Sequence, residues 1–180
     1  MEPATTAQVF LECARQFLSG EYRIKLRLAV LALPADAVWG RANDQSNSVG
    51  NLLLHLNGNV RQWILSSVGG APNDRNRAAE FSAQTGPSAA ELLAMIDETL
   101  DQADRVLAAQ TPSALLERRT IQGRDVTVLD AIFHVTEHFS GHLGQIILIA
   151  KLRSPGAIQF YEDAGGLAKP TWDEKVARTP

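Results

Sequence analysis

Cysteine is nearly missing from this chain. Its one example, Cys13, stands among 180 residues, so no internal disulfide can form and the pattern suits a reducing cytoplasm. Long apolar runs are also lacking. No uninterrupted stretch approaches the roughly 20 residues that cross a bilayer. The opening M-E-P-A-T-T-A-Q has no basic segment followed by an apolar run, so no leader is expected. Neither charge is in excess, with 17 Lys and Arg against 20 Asp and Glu and a net charge of −3. The basic residues are scattered rather than gathered into a stripe. Nucleic acid and anionic membrane are therefore excluded as main partners, and a cytoplasmic protein acting on a small molecule is the expectation.

What is present is apolar periodicity. A chain of this length with 45% hydrophobic residues builds one substantial core. Thr5 and Gln8 read as a capping box, after which Phe10, Cys13, Phe17, Ile24, Leu28 and Leu31 recur at helical spacing. That predicts one long helix ending before Pro34, bent near Gly20, with Cys13 in the core and not acting as a nucleophile. A second helix starts near Asn47 or Ser48 and buries Val49, Leu52, Leu53, Leu56, Val60, Trp63 and Ile64. Between Ser66 and Pro87 the chain is loop-like and too long for a tight turn, which suits a crossover. Ser88 and Glu91 cap a third helix with Leu92, Ile96, Leu100 and Leu107 inside. Gly123 in T-I-Q-G-R-D-V suggests a small hairpin. Thr127 and Asp130 cap a fourth helix that ends near Leu152 and buries Val128, Ile132, Val135, Phe139, Leu143 and Ile146. Gly141 and Gly144 on it would admit a close backbone. The expected architecture is all-α, an antiparallel four-helix bundle over residues 1–152 with a long crossover between helices 2 and 3. Residues 153–180 form a tail packed on the bundle or a partner.

Chemistry concentrates in H-V-T-E-H-F-S-G-H-L-G-Q, which holds three of the four histidines. His134, His138 and His142 follow at four-residue steps and share one helical face. The fourth, His55, borders the core side of the second helix, within about 40° of Asn51, Asn59 and Gln62 on the wheel. A single histidine near an apolar face reads as a core or boundary residue. Three in one stripe would repel if protonated together, and a divalent cation shared between neutral rings removes that conflict. If the second and fourth helices are neighbours, His55 completes a three-histidine site with two rings of the stripe. Glu137 lies about 100° from His138 and does not reproduce the glutamate of the zinc-protease helix motif.

These motifs resemble the DinB-like superfamily (the DinB/YfiT type), four-helix-bundle metalloenzymes with one histidine on the second helix and H-x-x-x-H on the fourth. The resemblance runs through N-S-V-G-N-L-L-L-H-L-N-G-N-V-R-Q-W-I (Asn47 to Ile64), R-N-R-A-A-E-F (Arg75 to Phe81) and H-V-T-E-H-F-S-G-H-L-G-Q-I (His134 to Ile146). It covers about residues 5 to 152. It implies that His55, His138 and His142 hold a divalent metal, nickel or zinc first, and that His134 stands beside the triad. It also implies a homodimer and a low-molecular-weight thiol as co-substrate of a metal-dependent transferase. The alternatives are a metal-dependent hydrolase, with His134 or Glu137 as general base, and a non-catalytic metal-binding or stress-response bundle. Arg75, Arg77 and Glu80 read either as an anion-binding pair over the site or as a loop-anchoring salt-bridge network, and the network is the more economical reading. With Asn59, Arg75 and Arg77 are the candidates for holding substrate or thiol. Trp39 and Trp63 read as packing residues.

Overall fold

The computed structural model describes residues 4–172. Residues 173–180 of the expected tail, and the first three of the expected bundle, lie outside the described residues. The fold is mostly helical and carries two small antiparallel sheets, which corrects the all-α expectation. Helix α1 (residues 6–31) runs as Thr6–Arg15, a π-helical stretch Gln16–Tyr22, and Arg23–Leu31. Helix α2 (residues 49–66) is Val49–Val60 continued by a second π-helical stretch, Arg61–Ser66. The crossover contains a short helix, α3 (Arg77–Ser82). Helices α4 (Ala89–Ala108) and α5 (Val128–Arg153) complete the frame. Four capping boxes, Thr5–Gln8, Ser48–Asn51, Ser88–Glu91 and Thr127–Asp130, each satisfy two of the amides that a helix start leaves unpaired.

Helix α2 packs against α4 and α5, and α1 packs against α4 and α5 from the other side. The predicted apolar faces of α2, α4 and α5 are all buried. The predicted face of α1 is not. Phe17, Leu28 and Leu31 are exposed, as is Cys13, and the buried residues are Leu11, Ala14, Leu18, Leu26, Ala29 and Val30. Before the π-helical stretch the core side is that of Leu11 and Ala14 rather than Phe10 and Cys13, and the stretch itself then shifts the phase. Leu11 and Leu18 lie seven residues apart, Leu18 and Leu26 eight, and Leu26 and Leu33 seven again. The wide turn adds one residue and restores the phase on the core. The unbroken heptad of Phe10, Phe17, Ile24 and Leu31 tracks a different face. Gly141 and Gly144 also differ from expectation: a Cβ at either would meet nothing within 4 Å.

Strands β1 (Arg118–Ile121) and β2 (Arg124–Thr127) pair across Gln122 and Gly123, whose φ of 52° and 76° make a type I′ turn. This hairpin delivers the chain to the cap of α5. After α5, β3 (Tyr161–Asp163) pairs with β4 (Ala168–Pro170). The segment lies on α1, where the Tyr161 hydroxyl donates to Glu21 and the Lys25 ammonium faces the Tyr161 ring at 4.9 Å. None of the helices in the described residues is long and apolar enough to cross a membrane.

Candidate metal centre

Two helices set the site. His55 lies on α2 four residues before Asn59 and is only 4% exposed, because the buried stripe of Leu52, Leu56 and Ile64 turns its ring inward. On α5, the stripe of Val135, Phe139 and Leu143 does the same for His138 and His142, which are half-buried. One nitrogen from each of His55, His138 and His142 lies within 4.8 Å of the others. His55 Nε2 and His138 Nε2 are 2.9 Å apart. Ring centroids are 4.5 Å apart for His138 and His142, and 4.9 Å for His55 and His142.

The rings on α5 are hard to protonate. Burial, followed by the neighbouring histidines, pushes the His138 imidazole down to about 3. Burial likewise lowers His142 and His134 from the ordinary histidine range. Imidazoles that stay unprotonated at neutral pH offer lone pairs, and the hydrogen bonds direct them. Two groups meet His55 Nδ1: Glu80 Oε2 at 2.8 Å, which can only accept, and Arg75 Nη2 at 3.1 Å, which can only donate. The shorter, charge-assisted contact to the carboxylate favours the hydrogen on Nδ1, with Nε2 facing His138. His142 Nδ1 lies 3.2 Å from Gln145 Oε1, which leaves its Nε2 free in the same way. Nitrogens 2.9 Å apart fall within the span that one ion bridges at metal–nitrogen lengths of about 2.1 Å. The donor set therefore fits a divalent first-row cation, imidazole being a ligand such ions accept.

His134 is outside the triad. Its ring stacks on His138 at 5.3 Å and rests on the buried Trp63 at 4.1 Å. Glu137 is exposed, and among the described residues it makes no hydrogen bond to a histidine. Asn59 is buried, and its Oδ1 meets no hydrogen-bond donor among the described residues. Arg75 reaches the site as a member of an ion pair: Nε and Nη2 donate to the two oxygens of Glu80 at 2.7 and 2.9 Å, and Nη1 donates to Gln62. Burial works to raise the Glu80 carboxyl, and the Arg75 and His55 contacts outweigh it, holding the group below the usual carboxylate range. Arg77 is exposed and lies over the Phe81 ring at 4.9 Å. Asn51 caps α2 and donates to the carbonyls of Glu80 and Ala83, so it grips the crossover and makes no hydrogen bond to a histidine. Trp39 fits between Gly50 and Gly86, where a Cβ would stand 2.7 Å from its ring.

The contact that sequence reasoning missed is Glu80 to His55. Glu80 was visible as one half of a salt bridge, but no periodicity links it to a histidine 25 residues away across a crossover.

No curated protein matches the chain. Residues 5–159 match the model of a family described as a protein of unknown function, DUF1572, a match that spans α1 to α5 and takes in all four histidines. The chain belongs to the DUF1572 family.

Proposed function

We propose that the protein binds one divalent cation, nickel or zinc, through His55, His138 and His142 and is a metalloenzyme that transfers a low-molecular-weight thiol to a small electrophile. In this reading the helices form the antiparallel four-helix frame of the DinB-like superfamily. The observation that carries it is the convergence of three imidazoles whose nitrogens lie within 4.8 Å of one another. Three neutral ligands leave the ion's charge for its remaining positions, the pattern of catalytic rather than closed sites. A cation bound there would supply Lewis acidity, lowering the pKa of a thiol or water in an open position.

The chain's own residues do the rest. Glu80 and Gln145 hold the hydrogens of His55 and His142 away from the centre, so that the opposite nitrogens present lone pairs. Trp63 and Phe81 rings, the latter 4.6 Å from His55, wall the cluster and limit water. His134 stays neutral and can accept a proton from a thiol. That same neutral base favours a second reading, a hydrolase in which His134 takes the proton from water.

Untagged protein analysed for metals is expected to carry about one nickel or zinc ion per chain and to consume thiols in the presence of electrophiles. Hydrolysis of activated esters without thiol consumption would favour the second reading. A metal-loaded protein inert in both assays would leave a non-catalytic metal-binding bundle, and protein that binds neither ion would overturn the proposal.

A further inference from the structure

The segment R-N-R-A-A-E-F, Arg75 to Phe81, is built as the outer half of the histidine cluster. Asn76 caps α3 by accepting from the Ala79 amide at 3.1 Å. Arg77 covers Phe81, and Phe81 in turn packs on the His55 ring at 4.6 Å. Arg75 and Glu80 form a buried pair, their side chains 4% and 9% exposed. The end of α3 is held from behind: Arg41 donates to the carbonyls of Phe81 and Ala83, and Asn51 donates to those of Glu80 and Ala83. All of this fixes one carboxylate oxygen 2.8 Å from His55 Nδ1.

Gly58 on α2 makes the approach feasible. A Cβ there would stand 2.1 Å from Glu80 Oε1 and 2.9 Å from Arg75 Nε, so any side chain displaces the ion pair from its seat. Gly58 is three residues beyond His55, and the atoms that a Cβ there would meet first belong to Glu80 and Arg75. Its role is to leave room for the carboxylate.

We propose that Glu80 is the positioning residue of the metal centre, setting the tautomer and orientation of His55 from a seat made by Gly58 and Arg75. The proposal rests on the three-histidine reading of the site. A metal-bound imidazole usually donates its other N–H to a carboxylate, which fixes the ring and raises its basicity, and loss of such a partner costs about 10–100-fold in metal affinity. Arg75 neutralises Glu80, so the carboxylate accepts the hydrogen bond without adding net charge beside the ligands.

The test has two arms. Side-chain nitrogen NMR on metal-free protein is expected to show His55 with its hydrogen on Nδ1 in the wild type and to show that preference lost in Glu80→Ala. Zinc affinity, measured by competition with a chromophoric chelator, is expected to fall about 10–100-fold in Glu80→Ala. Gly58→Ala is expected to lower it similarly, with every histidine and Glu80 intact. Glu80→Gln, which keeps an acceptor oxygen, is expected to restore the tautomer and part of the affinity, and it keeps the test open should Glu80→Ala fold poorly. A purely structural Glu80 would move the melting temperature and leave tautomer and zinc affinity unchanged, which would overturn the proposal, as would wild-type His55 carrying its hydrogen on Nε2. Wild-type protein that binds no zinc would sink the metal reading, while the tautomer arm would still decide whether Glu80 positions His55.

Discussion

Where α1 meets α4, charge is answered by charge: Arg15 holds Asp104, while Arg23 and Arg27 converge on Asp97. Where α2 meets α5, four histidine rings gather. Among the described residues, Glu80 is the one carboxylate hydrogen-bonded to them. The first seam is complete in itself, since each guanidinium meets a carboxylate at the edge of the core. The second is not. Its imidazoles are pressed together, burial making His138 and His142 hard to protonate, and the one carboxylate they meet is already paired with Arg75. Opposite charges that satisfy one another hold a fold together, and imidazole nitrogens gathered at ligating distance point to a ligand.

The sharpest way to break this contrast is to remove one ring. His138→Ala deletes the nitrogen 2.9 Å from His55 Nε2 and is expected to reduce bound metal from about one ion per chain to near zero after desalting. Elemental analysis reads the result directly. Retention of a full ion by the variant would mean that the α2–α5 seam is not the site. The same substitution also relieves crowding among neutral rings, so the metal-free protein should lose less stability than a buried aliphatic deletion of about 2–5 kcal/mol would cause.

Much of this contrast was legible in the sequence, and the illegible part has a physical cause. The buried stripes of α4 and α5, and that of α2 as far as Val60, follow an unbroken helical period with a side-chain cap at each start, so Leu52, Leu100 and Phe139 were readable as core. Gly123 marked the β1–β2 turn, because the second turn position has φ of 76°. Helix α1 resisted, since the π-helical stretch Gln16–Tyr22 shifts the phase of the buried stripe while a decoy heptad runs unshifted on another face. The β3–β4 hairpin left no trace because both strands are exposed throughout and show no alternation. In the site, His55, His138 and His142 were recognisable by spacing and resemblance. The roles of Glu80, Gly58 and Arg41 depend on where a crossover lands, which local pattern does not encode.

A second and smaller effect separates the seams by pH. His138 titrates near 3 in the folded chain against 6.5 in the ordinary state. Between those values the unfolded chain binds a proton that the folded one does not. Stability of the metal-free protein is therefore full above about 6.5 and falls as pH drops toward 3. The lowered Glu80 carboxyl begins to contribute loss only below its ordinary value of 4.5. The window from about 6.5 to 4.5 thus belongs to the histidine seam. Urea midpoints at pH 7.5, 6 and 5 are expected to decline in that order, with a shallower decline in His138→Gln. Equal midpoints across the window would mean that the rings are not buried in the neutral form.

The smallest effect is expected on the opposite seam. Asp97 accepts from both Arg23 and Arg27, and its side chain is 16% exposed. Replacing it in Asp97→Asn leaves Arg23 with Asp101 as a remaining partner. Ion pairs at a solvated edge are worth roughly 0–1 kcal/mol, and salt screens them. The variant should therefore lose about 1 kcal/mol or less at low ionic strength and less still in 0.5 M salt, with zinc affinity unchanged. Combined with His138→Ala, the two losses should add to within about 0.5 kcal/mol, as for sites with no shared partner. Larger coupling, or a change in zinc affinity on losing Asp97, would show that the two seams communicate through the core that α1 and α5 share. The division between a seam that holds the fold and one that waits for an ion would then have to be abandoned.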